Sequence, residues 1–149
     1  DYCLFSYHGL PERHIKKSGC LNICQKKCPK PEHSNTACYR AQCFETTQQL
    51  IKILGLTDKQ YSTAFQSRLG KTPWIKPYTD EVLKKLANQG IKRLAVVCPA
   101  FITDCLETLE EINMQAKAQW LALGGEDLQF IPCLNDEDHW IHALLKIVD

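Results

Sequence analysis

Apolar residues follow two alternating patterns along the chain. Short runs rich in apolar and strand-forming residues predict strands, and segments in which apolar residues recur every three or four positions predict helices. The predicted strands cover about residues 3–7, 61–67, 94–98 and 128–131, and the predicted helices about residues 40–54, 79–90, 104–123 and 137–148. Four strands, each followed by a helix, predict an α/β fold: a Rossmann-like single domain, residues 1–149, with a parallel four-stranded sheet and helices on both faces.

A polar, lysine-rich segment interrupts this pattern after the first strand. It holds one glycine and two prolines between residues 12 and 36 and is therefore predicted to be an inserted loop. We call residues 16–37 the cysteine loop, because Cys20, Cys24 and Cys28 lie in it and Cys38 follows it directly. Thiols crowded into one polar segment of an intracellular protein indicate a metal site before a disulfide. Four thiolates fit either tetrahedral zinc or a [2Fe-2S] cluster, and four unliganded thiols are the remaining alternative.

Charge and hydropathy exclude several classes of partner. Lysine and arginine number 18 against 17 acidic residues, a net charge of +1, so no strong field attracts nucleic acid or a membrane surface. The longest apolar stretch, about residues 94–102, is too short to span a bilayer. We therefore expect a cytoplasmic protein without a spanning segment that does not bind nucleic acid.

His8 is the first candidate for chemistry. The apolar run of the first strand ends at this residue, and Gly9 and Pro11 then force the chain to turn. In an open α/β sheet, the carboxyl ends of the strands are where ligands bind. The alternative is a histidine that merely caps the end of a strand.

Three carboxylates form the second candidate. Asp104, Glu107 and Glu111 are spaced i, i+3 and i+7 along a predicted helix, which would put them on one side of it. They are expected at the same sheet edge as His8, where hard oxygen ligands and a base could move a divalent cation and accept protons. The alternative is that acidic residues near a helix N-terminus only interact with its dipole.

The order of the motifs resembles the ferrochelatase family. The resemblance lies in residues 4–13, 41–43, 65–68, 73–74, 77–80, 101–111 and 132–135, and it covers nearly the whole chain outside the cysteine loop. It extends only to the carboxyl-terminal half of a ferrochelatase, whose members have two similar α/β halves with a porphyrin between them. The resemblance thus implies a chelatase-like fold and a missing amino-terminal half-domain as partner.

The resemblance also implies roles for the candidate residues. His8 would be the active-site histidine and Glu107 the essential glutamate, with Asp104 and Glu111 in an acidic row beside them. Such residues accept the two pyrrole protons and conduct the substrate Fe²⁺ to protoporphyrin IX, the terminal step of haem biosynthesis; their division of labour stays open. Phe65 and Trp74 are candidates for porphyrin contact, with a place in the core as the alternative.

The cysteine loop is where the sequence departs from the family pattern. Some ferrochelatases carry a [2Fe-2S] cluster, which favours that cofactor over zinc for Cys20, Cys24, Cys28 and Cys38. Two other functions remain open: a short homodimeric chelatase acting on another tetrapyrrole, and a metal-binding or iron–sulfur module that uses only the cysteine loop. The apolar patterns further predict a core that contains Val96, Val97, Leu106, Leu109, Ile131 and Leu144.

Overall fold

A four-stranded parallel sheet forms the centre of the molecule. The computed structural model describes residues 1–24, 26–32 and 35–148. The strands are β1 (Tyr2–His8), β2 (Tyr61–Gln66), β3 (Arg93–Val97) and β4 (Asp127–Phe130). Their order in the sheet is β2-β1-β3-β4, and every neighbouring pair is parallel. The predicted α/β class, strand count and strand direction are confirmed.

The strand order creates a reversal in the winding of the chain. The chain passes from β1 to β2 on one side and then crosses to β3 on the other side of β1. In open α/β sheets, ligands bind outside the carboxyl ends of the strands at such a reversal. His8 ends β1, and residues 98–105 follow β3, so both segments reach this point.

The helices follow the predicted order with two differences. They are α1 (Glu12–Lys17), α2 (Tyr39–Leu54), α3 (Thr79–Asn88), α4 (Leu106–Thr108), a π-helix (Leu109–Ala116), α5 (Lys117–Ala122) and α6 (Asp138–Val148). The predicted insertion therefore starts with a short helix, α1, because Ile15 finds a buried position in the core. The helix predicted over residues 104–123 begins at Leu106 and changes to π-helical geometry from Leu109, a change that a pattern of period 3.6 does not reveal. No helix in the described part of the chain is long and apolar enough to cross a membrane.

Two apolar clusters cover the two faces of the sheet. Alternate residues of β1 enter different clusters: Leu4 packs with Leu83, Ile112 and Trp120, whereas Phe5 packs in the second cluster. Other members of that second cluster are Tyr7, Ile15, Cys38, Cys43, Phe65 and Ile75. Because residues i and i+1 of a strand point to opposite faces, β1 is buried on both sides.

The predicted core is only partly correct. Val96 is fully buried and Val97 is half-buried, but Leu106, Leu109, Ile131 and Leu144 are 75%, 46%, 37% and 42% exposed. Helix α6 buries none of its described residues. Periodicity identifies the apolar side of a helix but not what covers it, and the described residues leave these side chains accessible.

Candidate active site at the sheet edge and the cysteine loop

His8 is fixed by its own neighbour in the chain. Its Nδ1 lies 2.6 Å from the carbonyl oxygen of Gly9. A carbonyl can only accept, so Nδ1 carries the hydrogen and Nε2 of the neutral ring keeps a free lone pair. The hydroxyl of Tyr39 donates to the carbonyl oxygen of His8 at 2.8 Å, which holds the end of β1 as well.

Gly9 is required by the close packing beside His8. Its amide donates to the carbonyl oxygen of Gln66 at 2.8 Å. A Cβ atom at Gly9 would lie 2.7 Å from that oxygen and 3.2 Å from Cε3 of Trp74. Only glycine lets the chain turn here without displacing β2 or the indole ring.

Two aromatic rings stand beside the imidazole. The ring centroid of His8 lies 5.9 Å from that of Phe101 and 6.5 Å from that of Trp74. Trp74 is half-buried, and its indole NH donates to the carbonyl oxygen of Leu69 at 2.9 Å. Phe101 was missed as an individual site residue, although an aromatic side chain four positions after a central strand was a usable signal. The half-buried imidazole therefore lies beside two aromatic rings.

Glu107 lies in the first turn of α4 and is accessible to solvent. Residue Cys105 caps this helix: its amide donates to Oγ1 of Thr108 at 3.0 Å, and its sulfur accepts from the amide of Thr108. A hydrogen bond from the thiol of Cys105 is the largest influence on the pKa of Glu107 and lowers it. The amide of Glu107 lowers that pKa further, and so does the charge of His8 when its ring is protonated. A carboxylate that stays ionised therefore stands close to the imidazole.

Gln66, at the end of β2, connects β1 to the start of α4. The sequence did not predict this role. This side chain is 3% exposed, and its Nε2 donates to the carbonyl oxygen of Glu107 at 2.6 Å. Its Oε1 accepts from the hydroxyl of Ser6 at 2.7 Å. The signal in the sequence was a polar residue at the end of a run of strand formers, where buried polar groups need partners. Gln66 thus fixes the start of α4 relative to β1.

Glu111 occupies a neighbouring pocket. It lies in the π-helix, and its two carboxylate oxygens accept from the amide and the hydroxyl of Ser67 at 2.7 and 2.6 Å. The pocket has a volume of about 220 Å³, and Arg68 and Asp80 contribute to its lining. Arg68 pairs with Asp80 at 2.7 Å across this pocket. Glu111 is therefore held in place at the end of β2.

Asp104 does not continue a row on the helix, which corrects the predicted i, i+3, i+7 arrangement. It precedes α4, and its carboxylate accepts from the amide of Cys133, the hydroxyl of Thr108 and the side chain of Asn135. Desolvation is the largest influence on the pKa of Asp104 and raises it, but these hydrogen bonds together outweigh it and lower the pKa. Asp104 connects the loop after β3 to the loop after β4.

Phe65 does not reach the site. Its side chain is 1% exposed and packs against Tyr7, Phe44 and Arg40. This burial favours the core alternative for Phe65, because a ring covered on the α2 side of the sheet offers little surface to a ligand, and porphyrin contact by Phe65 stays a prediction. Trp74 remains the accessible member of the pair. We call His8, Gln66, Trp74, Phe101 and Glu107 the rim site.

The four predicted thiols line a second pocket. Cys20, Cys24, Cys28 and Cys38 surround a volume of about 400 Å³ next to Ala41 of α2. Burial raises the pKa of the Cys28 thiol to about 11, while Arg40 opposes that rise. Within residues 1–24, 26–32 and 35–148, however, no group of three or more His, Cys, Asp or Glu side chains has the arrangement of a metal site. The thiols share a pocket without the convergence that ligation requires, so the cofactor stays a prediction.

Comparisons with known proteins agree on the fold. The chain is similar to a solved structure described as a cobalamin (vitamin B12) biosynthesis CbiX protein from Marinobacter aquaeolei VT8. The TM-score is 0.55 at 13% identity, over 99% of this chain and 92% of the other. At this identity, the likeness concerns the fold alone.

Comparisons of sequence identify the family. The family model for ferrochelatase matches residues 1–149. A ferrochelatase from Legionella pneumophila (strain Philadelphia 1) is 57% identical over 148 residues, which are 99% of this chain and 45% of the relative. One from Coxiella burnetii (strain RSA 493) is 58% identical over 150 residues, which are 99% and 42%. The chain spans less than half the length of these relatives. It belongs to the ferrochelatase family.

Proposed function

We propose that this chain is the carboxyl-terminal half-domain of an enzyme that inserts Fe²⁺ into protoporphyrin IX and forms haem. The observation that carries the proposal is the orientation of His8. Its Nδ1–H is bound to Gly9, so its Nε2 lone pair is free between Phe101 and Trp74. A base flanked by aromatic rings suits a flat, apolar macrocycle that must lose protons.

The chemistry requires that two protons be accepted. Protoporphyrin loses two pyrrole protons as Fe²⁺ binds its four nitrogens, so porphyrin and metal give haem and two protons. His8 accepts the first proton at Nε2 and releases it to water before it accepts the second, and the adjacent Glu107 carboxylate stabilises the imidazolium formed each time. Because the pKa of Glu107 is lowered, this carboxylate is ionised when the porphyrin arrives. Gln66 holds the backbone of Glu107 and so sets its position relative to His8.

We assign Glu111 and Asp104 to different tasks. Glu111 lines the pocket next to the rim site with Arg68 and Asp80, and its carboxylate is a hard ligand suited to Fe²⁺ on its way to the porphyrin. Asp104 has three donors on its carboxylate, so it acts mainly by fixing the loops that carry Phe101 and Glu107.

A second wall is needed for the porphyrin. The side chains of Ile102 and Leu106, which follow Phe101 and precede Glu107 in the chain, are 51% and 75% exposed. Relatives are more than twice as long as the matched segment, which supports a second half-domain that covers the opposite face of the macrocycle. Binding by one wall alone leaves the ligand poorly positioned.

The cysteine loop is proposed to hold a [2Fe-2S] cluster, with zinc as the alternative. The type and number of the donors suit either group, because four thiols line one pocket, and binding would draw their sulfur atoms together. A bound cluster would supply a four-thiolate cross-link between the loop and α2, whose N-cap is Cys38. No residue of the loop takes part in proton transfer at His8 in this proposal.

The test is haem formation from ferrous iron and protoporphyrin IX. We expect activity in the complete gene product that carries this sequence and little in the 149-residue chain alone. Full activity of a strictly monomeric 149-residue chain would contradict the half-domain proposal. Activity of that chain rising with dimer formation would instead favour a homodimeric chelatase, and a complete protein that binds metal in the loop but forms no haem would favour the metal-binding module.

A further inference from the structure

Arg40 is the most deeply buried charged side chain beside the cysteine loop. Its side chain is 1% exposed although it lies in the first turn of helix α2. Its Nη1 donates to Sγ of Cys28 at 2.8 Å, and its Nη2 donates to the carbonyl oxygens of Lys26 and Lys76 at 2.7 and 2.9 Å. Nε also donates to Lys76 at 3.2 Å. The guanidinium thus joins three segments: the cysteine loop, α2 and the connection after β2.

The surroundings of Arg40 lack an obvious counter-charge. Its guanidinium carbon lies 4.6 Å from the ring centroid of Phe44 and 5.8 Å from that of Phe65, and both rings pack in the second apolar cluster. None of the ion pairs formed by the described residues includes Arg40. A buried cation without a partner is strongly unfavourable. Of its three acceptors, two are neutral carbonyls, and only the sulfur of Cys28 can carry negative charge.

We propose that Arg40 is a positioning residue for a thiolate metal centre in the cysteine loop, where it donates a charged hydrogen bond to the Cys28 ligand and balances the charge of the centre. The inference rests on the cofactor assigned under the proposed function. A centre with four thiolates is anionic as a whole, which supplies the counter-charge that the burial of Arg40 demands. If the sulfur of Cys28 were neutral as well, the buried guanidinium would have three neutral acceptors and no counter-charge.

The geometry gives Arg40 a specific influence on a redox-active centre. Hydrogen bonds and positive charge at a ligand sulfur favour the more negative, reduced state of a cluster and therefore raise its reduction potential. Arg40 provides both at one sulfur, from a position that water does not screen. The exposed Lys27 also brings a positive charge to the loop, but its side chain is 61% accessible and pairs with Asp58. Its influence is screened by solvent.

The experiment compares four forms of the complete protein: wild type, Arg40→Met, Arg40→Lys and the matched control Lys27→Met. Iron and sulfide content are measured first, and the reduction potential is measured by spectroscopic titration. In Arg40→Met, we expect at least a tenfold lower equilibrium constant for one-electron reduction, which is about 59 mV. We expect a smaller decrease of the same equilibrium constant in Arg40→Lys, because lysine keeps the charge but not the planar set of N–H donors. We expect no change in Lys27→Met.

The outcomes distinguish the role of Arg40 from the presence of a metal centre in the cysteine loop. If wild type holds the cluster and both Arg40 variants keep its content and potential, the role of Arg40 is refuted while the cofactor stands. If Arg40→Met does not fold, the potential of Arg40→Lys decides. If wild type holds zinc, the same variants are compared by the chelator concentration that releases half of it, and equal values refute the role. If wild type holds neither metal, the cofactor fails and the inference with it.

Discussion

At the rim site, His8 ends a strand and Glu107 lies in the first turn of a helix, whereas Cys20, Cys24 and Cys28 lie on no regular element. Backbone groups and one buried amide fix the two rim residues. In the cysteine loop, the buried guanidinium of Arg40 bonds to Cys28 and to the carbonyl oxygen of Lys26. The sheet therefore holds the rim residues in place without a ligand, whereas the proposed metal centre would add cross-links that the cysteine loop lacks without it.

The largest expected effect comes from removing the base of the rim site. In the complete protein, His8→Ala should lower the rate of haem formation by about 10²–10⁴-fold, because proton acceptance by a positioned side chain is lost. The measurement is the initial rate with ferrous iron and protoporphyrin IX, with circular dichroism to verify the fold. The exposed His14 provides the matched control, and equal losses in His14→Ala would mean that the effect is not specific to the rim site.

The carboxylate beside His8 should have the next largest effect. Glu107→Gln keeps the shape of the side chain but removes its charge, so we expect a decrease in haem formation of about 10²-fold. Glu110→Gln changes an exposed residue three positions along the chain and should leave the rate unchanged. A normal rate in Glu107→Gln would remove this residue from the mechanism.

A substitution of Gln66 tests how strongly haem formation depends on the position of Glu107 relative to His8. Gln66→Met removes the donor to the backbone of Glu107 and the Oε1 acceptor of the Ser6 hydroxyl, which keeps only the Thr79 hydroxyl at 2.8 Å. We expect a decrease in the free energy of unfolding of about 1–3 kcal/mol and a decrease in kcat of roughly tenfold. Denaturant titration and steady-state kinetics measure the two, and Gln129→Met, at an exposed position of β4, is the control. Unchanged kcat with lowered stability would leave Gln66 a purely structural role.

The smallest effect concerns pH. The thiol of Cys105 lowers the pKa of Glu107, so the ionised form persists to lower pH than in an ordinary glutamate. Cys105→Ala should raise that pKa, because the carboxylate loses a donor that favours its ionised form, and NMR titration of the Glu107 side-chain carboxyl measures the change directly. Cys105→Ser keeps a donor and should restore most of the original pKa. An unchanged pKa of Glu107 in Cys105→Ala would contradict the influence of the thiol.

The sequence predicted the parts of the rim site that depend on strand ends. The position of His8 followed from an apolar strand and the turn at Gly9, and both are observed. The start of α4 did not follow, because a cysteine is an unusual N-cap and a π-helix has no signature in a helical pattern. The displaced position of Asp104 is a consequence of this.

Burial was the property that the sequence predicted least well. Arg40 was not considered for the interior, since charged residues are rarely buried without a partner. Phe65 was treated as a candidate ligand contact although its strand is covered on both faces. Leu144 was expected inside, yet α6 leaves its apolar side exposed. These outcomes depend on which surfaces meet in space, which local patterns do not encode.

The separation of the two regions is the central claim, and one measurement on Cys24→Ser tests it most directly. Iron and sulfide content and the rate of haem formation per folded molecule are determined on the same sample of the complete protein, beside His8→Ala. We predict that Cys24→Ser loses the metal centre and some stability but keeps haem formation by its folded molecules, while His8→Ala keeps the centre and loses haem formation. Loss of haem formation in fully folded Cys24→Ser would contradict the account.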